Sequence, residues 1–125
     1  MGIWTGRMPT DRLNDKQIRP TEYRKWRHAV ERFERRDKDR IIVEKLKASI
    51  PKQGLLVPIQ LGISERYPTD VYVADGHHRA VALKQLGALD FPFHWYWINN
   101  GSVRWERVPF PYHILGLENL VPHTH

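Results

Sequence analysis

Apolar residues at helical spacing predict two helices in the first half of the chain. The first follows a start signal at 20–22, where a proline and then an acid suit a first helical turn, and its apolar stripe is Tyr23, Trp26, Val30 and Phe33. The second is expected to begin at Asp39, as its cap, and to end near Ile50, because Pro51 disfavours helix in the residue before it. Its shared face is predicted to be Ile42, Leu46, Ser49 and Ile50.

The second half of the chain predicts a third helix and the strands. Residues 77–86 have a helical pattern that ends at Gly87, a residue type that readily stops a helix in the left-handed conformation. Residues 1–19 lack a regular pattern and are interpreted as an irregular lead-in, and residues 109–125 as a C-terminal tail. Short apolar or alternating runs predict four strands, the last two joined as a hairpin: 55–61, 72–74, 91–98 and 102–108.

Strand 91–98 is strongly aromatic, with the sequence FPFHWYWI. Alternation places one set of its residues on a single face, which we expect to be the core of a small sheet: Phe91, Phe93, Trp95 and Trp97. His94 and Tyr96 lie on the opposite face. They are the candidates for ligand contact if that face is open, since aromatic rings can stack on nucleic-acid bases.

These elements predict an α+β domain covering residues 1–125, with a small mixed sheet and packed helices. A length of 125 residues and a hydrophobic content of 41% suit one core. No apolar run approaches the roughly 20 residues that cross a membrane, and residues 1–19 lack the apolar segment of a signal peptide, which predicts a cytoplasmic protein. The absence of cysteine excludes disulfides and thiolate metal sites.

The charge of the chain favours phosphate-bearing partners. The formal net charge is +6, and residues 19–40 contribute nine Lys or Arg against five Asp or Glu. One interpretation is a contact surface for the nucleic-acid backbone, and the other is a solvated helix face with local ion pairs. The candidate nucleic-acid-binding residues are Arg24, Lys25, Arg27, Arg32, Arg35 and Arg36.

The turn before the third helix, Asp75-Gly-His-His-Arg79, carries the clearest candidate chemistry. A helix start exposes unpaired N–H groups with partial positive charge, so cationic residues there are unfavourable unless an anion is nearby. Gly76 permits close approach of the backbone, and Arg79 offers a fork to phosphate. Gly76, His77, His78 and Arg79 are therefore the candidate phosphate-binding residues.

Two other interpretations of this turn are open. Asp75 can be a helix cap, with neutral, hydrogen-bonded histidines and with Arg79 paired to a neighbouring acid. A two-histidine metal site with Asp75 as third ligand is less favoured, because adjacent helical residues point in different directions. The terminal segment PHTH, with His123 and His125, is a poor metal site without further ligands.

The segment from 41 to 95 resembles the ParB/sulfiredoxin superfamily, the ParB-like nuclease domain. The resemblance covers a little under half the chain. The DGHHR form is similar to that of ParB-like free-serine kinases, and RPTEY at 19–23 weakly matches an acidic residue that those proteins carry. The residues in register are Ser49-Ile50, Gly54-Leu55, Pro58-Ile59, Gly76, Arg79, Ala80, Ala82 and Leu86-Gly87.

The resemblance implies a ParB/sulfiredoxin-like fold and a nucleotide or nucleic-acid phosphate at the turn. CTP, or ATP with Mg²⁺, is the implied nucleotide. By position, Asp75 is implied as a magnesium ligand or base, and Glu22 as a second catalytic acidic group. His77 stands where sulfiredoxin needs cysteine, which excludes sulfinic acid reduction.

The sequence therefore predicts a nucleotide- or nucleic-acid-binding protein with Mg²⁺-dependent phosphoryl transfer or phosphodiester cleavage as its candidate chemistry. One alternative is a non-catalytic DNA-binding or regulatory module that uses the arginine-rich segment 19–40. A second is a small-metabolite kinase of the serine type. The resemblance also suggests a phage or mobile-element context, while the oligomeric state is open.

Overall fold

The computed structural model describes residues 2–99 and 102–117. Its three helices are α1 (Trp26–Arg35), α2 (Asp37–Gln53) and α3 (His77–Leu86). Its strands are β1 (Gly6–Pro9), β2 (Ile18–Pro20), β3 (Ile59–Ser64), β4 (Val71–Asp75), β5 (Asp90–Asn99) and β6 (Ser102–Trp105). Short 3-10 helices occur at Thr10–Arg12 and Tyr112–Leu115.

The strands form one mixed sheet in the order β1-β5-β3-β4-β2, and β6 also pairs with β5. The β2–β4 and β3–β5 pairs are parallel, whereas β1–β5, β3–β4 and β5–β6 are antiparallel. The predicted α+β class with a small mixed sheet is confirmed. The predicted hairpin of β5 and β6 is confirmed as well, although its turn at 100–101 lies outside the described residues.

One face of the sheet packs into the hydrophobic core. Alternation along the three central strands turns every second side chain toward one face of the sheet, and these residues are fully buried. The predicted inward face of the aromatic strand is confirmed for its first three members, while Trp97 is half-buried. The fully buried strand residues are Ile59, Leu61, Ile63, Val71, Val73, Phe91, Phe93 and Trp95.

The interpretation of residues 1–19 as irregular is wrong, because this segment contains β1 and most of β2. Both strands are three or four residues long, too short for a visible alternation. Their position is fixed by partners far along the chain: Met8 pairs with Phe91, and Ile18 with Val71. Met8 and Ile18 are buried, so the segment is part of the core.

The predicted helix start at 20–22 is also wrong. Pro20 is the last residue of β2, and α1 begins at Trp26. The Trp26 N–H donates to the Asp15 carboxylate at 2.8 Å, so the helix start is capped by a residue from a distant loop. The proline and acid at 20–22 therefore do not mark the start of this helix.

The second helix is longer than predicted at both ends. It begins at Asp37, so Asp39 lies within its first turn and is not its cap. It continues through Pro51 to Gln53 and is followed by Gly54, whose φ of 73° favours glycine. Pro51 is exposed and, as a proline inside the helix, removes one backbone hydrogen bond. Val43 is buried here, and the predicted inward residue Ile42 is 40% exposed.

The third helix matches its predicted bounds, and Gly87 ends it in the left-handed conformation. β3 begins at Ile59, four residues after the predicted start at Leu55, and the preceding residues Leu56 and Val57 are exposed. In the described part of the chain, no helix is long and apolar enough to cross a membrane. The PHTH segment lies outside the described residues.

Candidate phosphate-binding cleft

The turn between β4 and α3 has the predicted order of strand, glycine and helix. Gly76 has φ 108°, a left-handed backbone conformation that residues with a side chain rarely adopt. A Cβ at this position would lie 3.0 Å from the Arg79 guanidinium. The Ala80 N–H donates to the Gly76 carbonyl at 2.8 Å, and no side chain caps the helix start. The N–H groups of residues 77–79 therefore have no acceptor within the helix and face the turn.

His77 is buried and acts as a hydrogen-bond acceptor for a neighbouring segment. Its Nε2 accepts the Thr21 N–H at 3.0 Å, which places the ring proton on Nδ1. Burial lowers the pKa of His77, and this outweighs the opposite influence of Glu22 and Asp75. The ring is therefore neutral at pH 7 and adds no charge to the helix start.

His78 and Arg79 each pair with a carboxylate. His78 Nε2 lies 2.9 Å from Asp39 Oδ1, and its ring stacks on Phe33 with centroids 4.2 Å apart. The Arg79 guanidinium, with 15% of the side chain exposed, donates to Asp75 Oδ2 at 3.3 Å. The interpretation with a hydrogen-bonded His77, a paired His78 and a paired Arg79 therefore describes these side chains. Its expectation that Asp75 caps the helix is wrong, because no side chain caps the start of α3.

A cleft of about 390 Å³ lies in front of this turn. Glu22, which a weak motif match singled out, lies in its wall beside Tyr23. Two residues of the arginine-rich segment, Arg32 and Arg36, complete the basic side. The full lining is Glu22, Tyr23, Arg32, Phe33, Arg36, Asp39, Asp75, Gly76, His77, His78 and Arg79.

The arginine-rich segment divides into residues that line the cleft and residues that do not. Arg32 and Arg36 are exposed and form no ion pair within 4.0 Å among the described residues. Lys25 and Arg27 are exposed away from the cleft. The sequence predicted a contact surface for the nucleic-acid backbone in this segment, and no local signal joined Arg32 to a turn more than forty residues later.

Asp75 and Glu22 are the two acidic residues of this cleft that are not paired with a histidine. Asp75 Oδ2 contacts Arg79, while its side chain is 67% exposed. Within residues 2–99 and 102–117, no three His, Asp or Glu side chains lie together in a group able to hold a metal ion. Any ion here needs further ligands from a bound molecule or water.

We expect His77 to make folding stability pH-dependent. Its folded pKa is below the unfolded value of about 6.5. As pH falls through 6.5, the unfolded chain binds a proton at His77 more readily than the folded protein does, so the free energy of unfolding decreases. Above pH 6.5 His77 is neutral in both states and no longer affects stability. His77→Gln, whose amide oxygen can accept the Thr21 N–H, should show a smaller drop in urea midpoint between pH 7.5 and 5.5. An equal drop in both proteins would contradict the assignment.

No protein-family model and no curated protein matches the chain. Two solved structures are similar to it, each at 22% identity, a TM-score of 0.49 and coverage of 78% of this chain. One is sulfiredoxin from Arabidopsis thaliana, of which 86% is covered. The other is C-terminally truncated chromosome-partitioning protein ParB from Caulobacter crescentus, complexed with CTP-gamma-S, of which 46% is covered. The fold is similar to both.

Proposed function

We propose that the protein binds phosphate groups of a nucleotide or nucleic acid in the cleft between the start of α3 and the α1–α2 junction. The observation that carries the proposal is that Arg32 and Arg36, without ion pairs among the described residues, line the same cleft as the uncapped helix start. Unpaired guanidinium groups and free N–H groups are both donors that suit a phosphate.

The turn residues contribute mainly through the backbone in this proposal. Gly76 lets an anion approach, and the N–H groups of residues 77–79 face it. Arg79 adds its guanidinium, which Asp75 already positions beside Gly76. His78 adds a ring held by Asp39 and Phe33. His77 supplies its main chain, because its Nε2 is occupied by Thr21.

Asp75, a largely exposed carboxylate of the cleft, suits a magnesium ion that accompanies ATP or CTP, and Glu22 is the second acidic group. Mg²⁺ in nucleotide sites takes one or two carboxylates and completes its shell with water and phosphate oxygens, so a dedicated cluster of protein ligands is not required. Bound Mg²⁺ would stabilise charge on the phosphate oxygens. Asp75 would hold the ion and Glu22 would accept a proton, which suits phosphoryl transfer or phosphodiester cleavage.

Calorimetric titration with ATP, with CTP and with a short DNA duplex, each with and without Mg²⁺, tests the binding proposal. Arg36→Ala is expected to weaken the preferred ligand about tenfold, or roughly 1.4 kcal/mol. Arg27→Ala removes the same charge outside the cleft and should leave affinity within about twofold. Equal effects of the two variants, or no binding by the parent, would refute the proposal.

Catalysis is tested separately from binding. If the protein is an enzyme, Glu22→Gln and Asp75→Asn should lose phosphoryl transfer or phosphodiester cleavage. The ligand that the parent protein binds should still bind to both variants. A parent that binds without turnover supports the non-catalytic module, and ADP release with one amino acid supports the small-metabolite kinase.

The outer basic residues favour a second candidate function, which is DNA binding. Lys25, Arg27 and Arg35 are exposed and lie outside the cleft, where a duplex backbone can reach them. Duplex binding that is lost in Lys25→Ala/Arg27→Ala and kept in Arg36→Ala would support this function over the cleft.

A further inference from the structure

Tyr23 lies where three cavities meet. It lines the phosphate-binding cleft, a neighbouring cavity of about 470 Å³ and a third cavity of about 330 Å³. The neighbouring cavity shares Glu22 and Arg32 with the cleft and adds Arg35. The third cavity extends to the edge of the sheet and is lined by Arg19, Pro20, Thr21, Tyr23, Arg24 and Tyr72.

The Tyr23 ring is fixed by its neighbours, which makes it a stable boundary between these cavities. It meets Phe33 edge-on with centroids 5.7 Å apart and His77 at 5.9 Å. Thr21, two residues earlier, donates its N–H to His77 and its hydroxyl to the Val73 carbonyl. The wall between the cleft and the third cavity is therefore tied to α3 and β4.

The three cavities carry more unpaired cationic than anionic side chains. Within the described residues, Arg19 pairs with Asp70 at 3.5 Å, and no ion pair within 4.0 Å forms for four other lining arginines. Asp39 and Asp75 are already paired with His78 and Arg79, which leaves Glu22 and Glu31 as the lining acids without ion pairs. The four arginines are Arg24, Arg32, Arg35 and Arg36.

The third cavity also offers an aromatic wall. Tyr72 lies in β4 on the sheet face opposite the core and is half-buried. Aromatic side chains beside cationic ones are the usual surface for single-stranded nucleic acid, because unstacked bases pack on rings while phosphates meet arginine. The bases of a duplex are stacked inside and would not reach Tyr72 in this concavity.

We infer that the cleft takes the end of a single-stranded nucleic acid, whose following nucleotides continue past Tyr23 into the cavity of Arg24 and Tyr72. The inference rests on the proposed phosphate-binding function and names its ligand class. The terminal phosphate occupies the cleft at the start of α3. The next phosphate meets Arg24, and a base packs on Tyr72.

Competition anisotropy measures the length dependence that this arrangement requires. A labelled eight-nucleotide DNA strand is displaced by unlabelled strands of one, two, four and eight nucleotides, and by the equivalent RNA strands. Affinity should rise at least about tenfold from one to four nucleotides. Each added phosphate contact should steepen the dependence of log affinity on log salt by about 0.7.

Variants in the third cavity separate it from the cleft. In Arg24→Ala and in Tyr72→Leu, the ratio of four-nucleotide to one-nucleotide affinity should fall toward one. Tyr72→Phe keeps the ring and should keep the ratio. Arg66→Ala, an exposed arginine that packs over Tyr67 elsewhere, is the matched charge control.

The other possible results contradict either this inference or the proposed function. A mononucleotide that binds as tightly as every longer strand overturns this inference and leaves the proposed function standing. Equal binding of a duplex, or of polyphosphate with the same charge, overturns it as well, since neither presents free bases. Failure of mononucleotide and strands alike overturns the proposed function too.

Discussion

Replacing Trp26 by alanine is expected to lower the free energy of unfolding by about 3–5 kcal/mol. The side chain is 4% exposed at the first turn of α1. Its Nε1 donates to the Ile18 carbonyl at 2.9 Å, and the Lys84 ammonium lies 5.5 Å from the ring centroid. The residue thus joins α1 to β2 and α3, and its loss leaves a cavity at this junction.

Urea denaturation of the purified variant measures the effect. Trp26→Phe is the control, because it keeps most of the volume and removes the donor to Ile18, which should cost about 1 kcal/mol. A loss below about 1 kcal/mol in the alanine variant would show that the junction repacks and does not depend on this side chain.

Reversing two charges in the cleft, Arg32→Glu with Arg36→Glu, is expected to weaken phosphate-ligand binding at least about a hundredfold. Each reversal removes an attraction and adds a repulsion. At close range in a protein surface cleft each such interaction reaches the order of 1–4 kcal/mol, and 1.4 kcal/mol is tenfold in affinity. Calorimetric titration at about 0.1 M salt checks the result, since charges beyond roughly 10 Å are then screened.

The matched control carries the same total charge change outside the cleft. Lys25→Glu with Arg27→Glu alters two exposed residues on the same stretch of chain, and we expect less than about a threefold effect. If the two pairs weaken binding equally, the ligand responds to the overall field of the protein and the cleft is not its site.

Local patterns in the sequence predicted the helix α3 and its glycine turn, because the information lies within a dozen residues. The i,i+4 spacing of Asp75 and Arg79 also suits the ion pair that these two residues form. The strands β1 and β2 could not be predicted in this way. Each has three or four residues, and each is stabilised by pairing with a strand distant in sequence.

The state of the two histidines was equally hidden from the sequence. His77 is neutral because burial lowers its pKa, and its Nε2 accepts a hydrogen bond from Thr21, 56 positions earlier. His78 is paired with Asp39, 39 positions earlier. Neither partner is marked by spacing or composition. For the same reason, the charge of the segment 19–40 was evident while the orientation of Arg32 and Arg36 toward the turn was not.

The two hydrogen bonds of Thr21 have a consequence for how the cleft assembles. They join residues 52 and 56 positions apart, so they form only after a long loop has closed, a slow step in folding. Until then α3 can exist without Glu22 and Tyr23 beside it. We therefore expect the cleft to form late in folding and to open when β2 separates from β4. A bound phosphate would slow amide hydrogen exchange at Thr21 more than in the centre of β5.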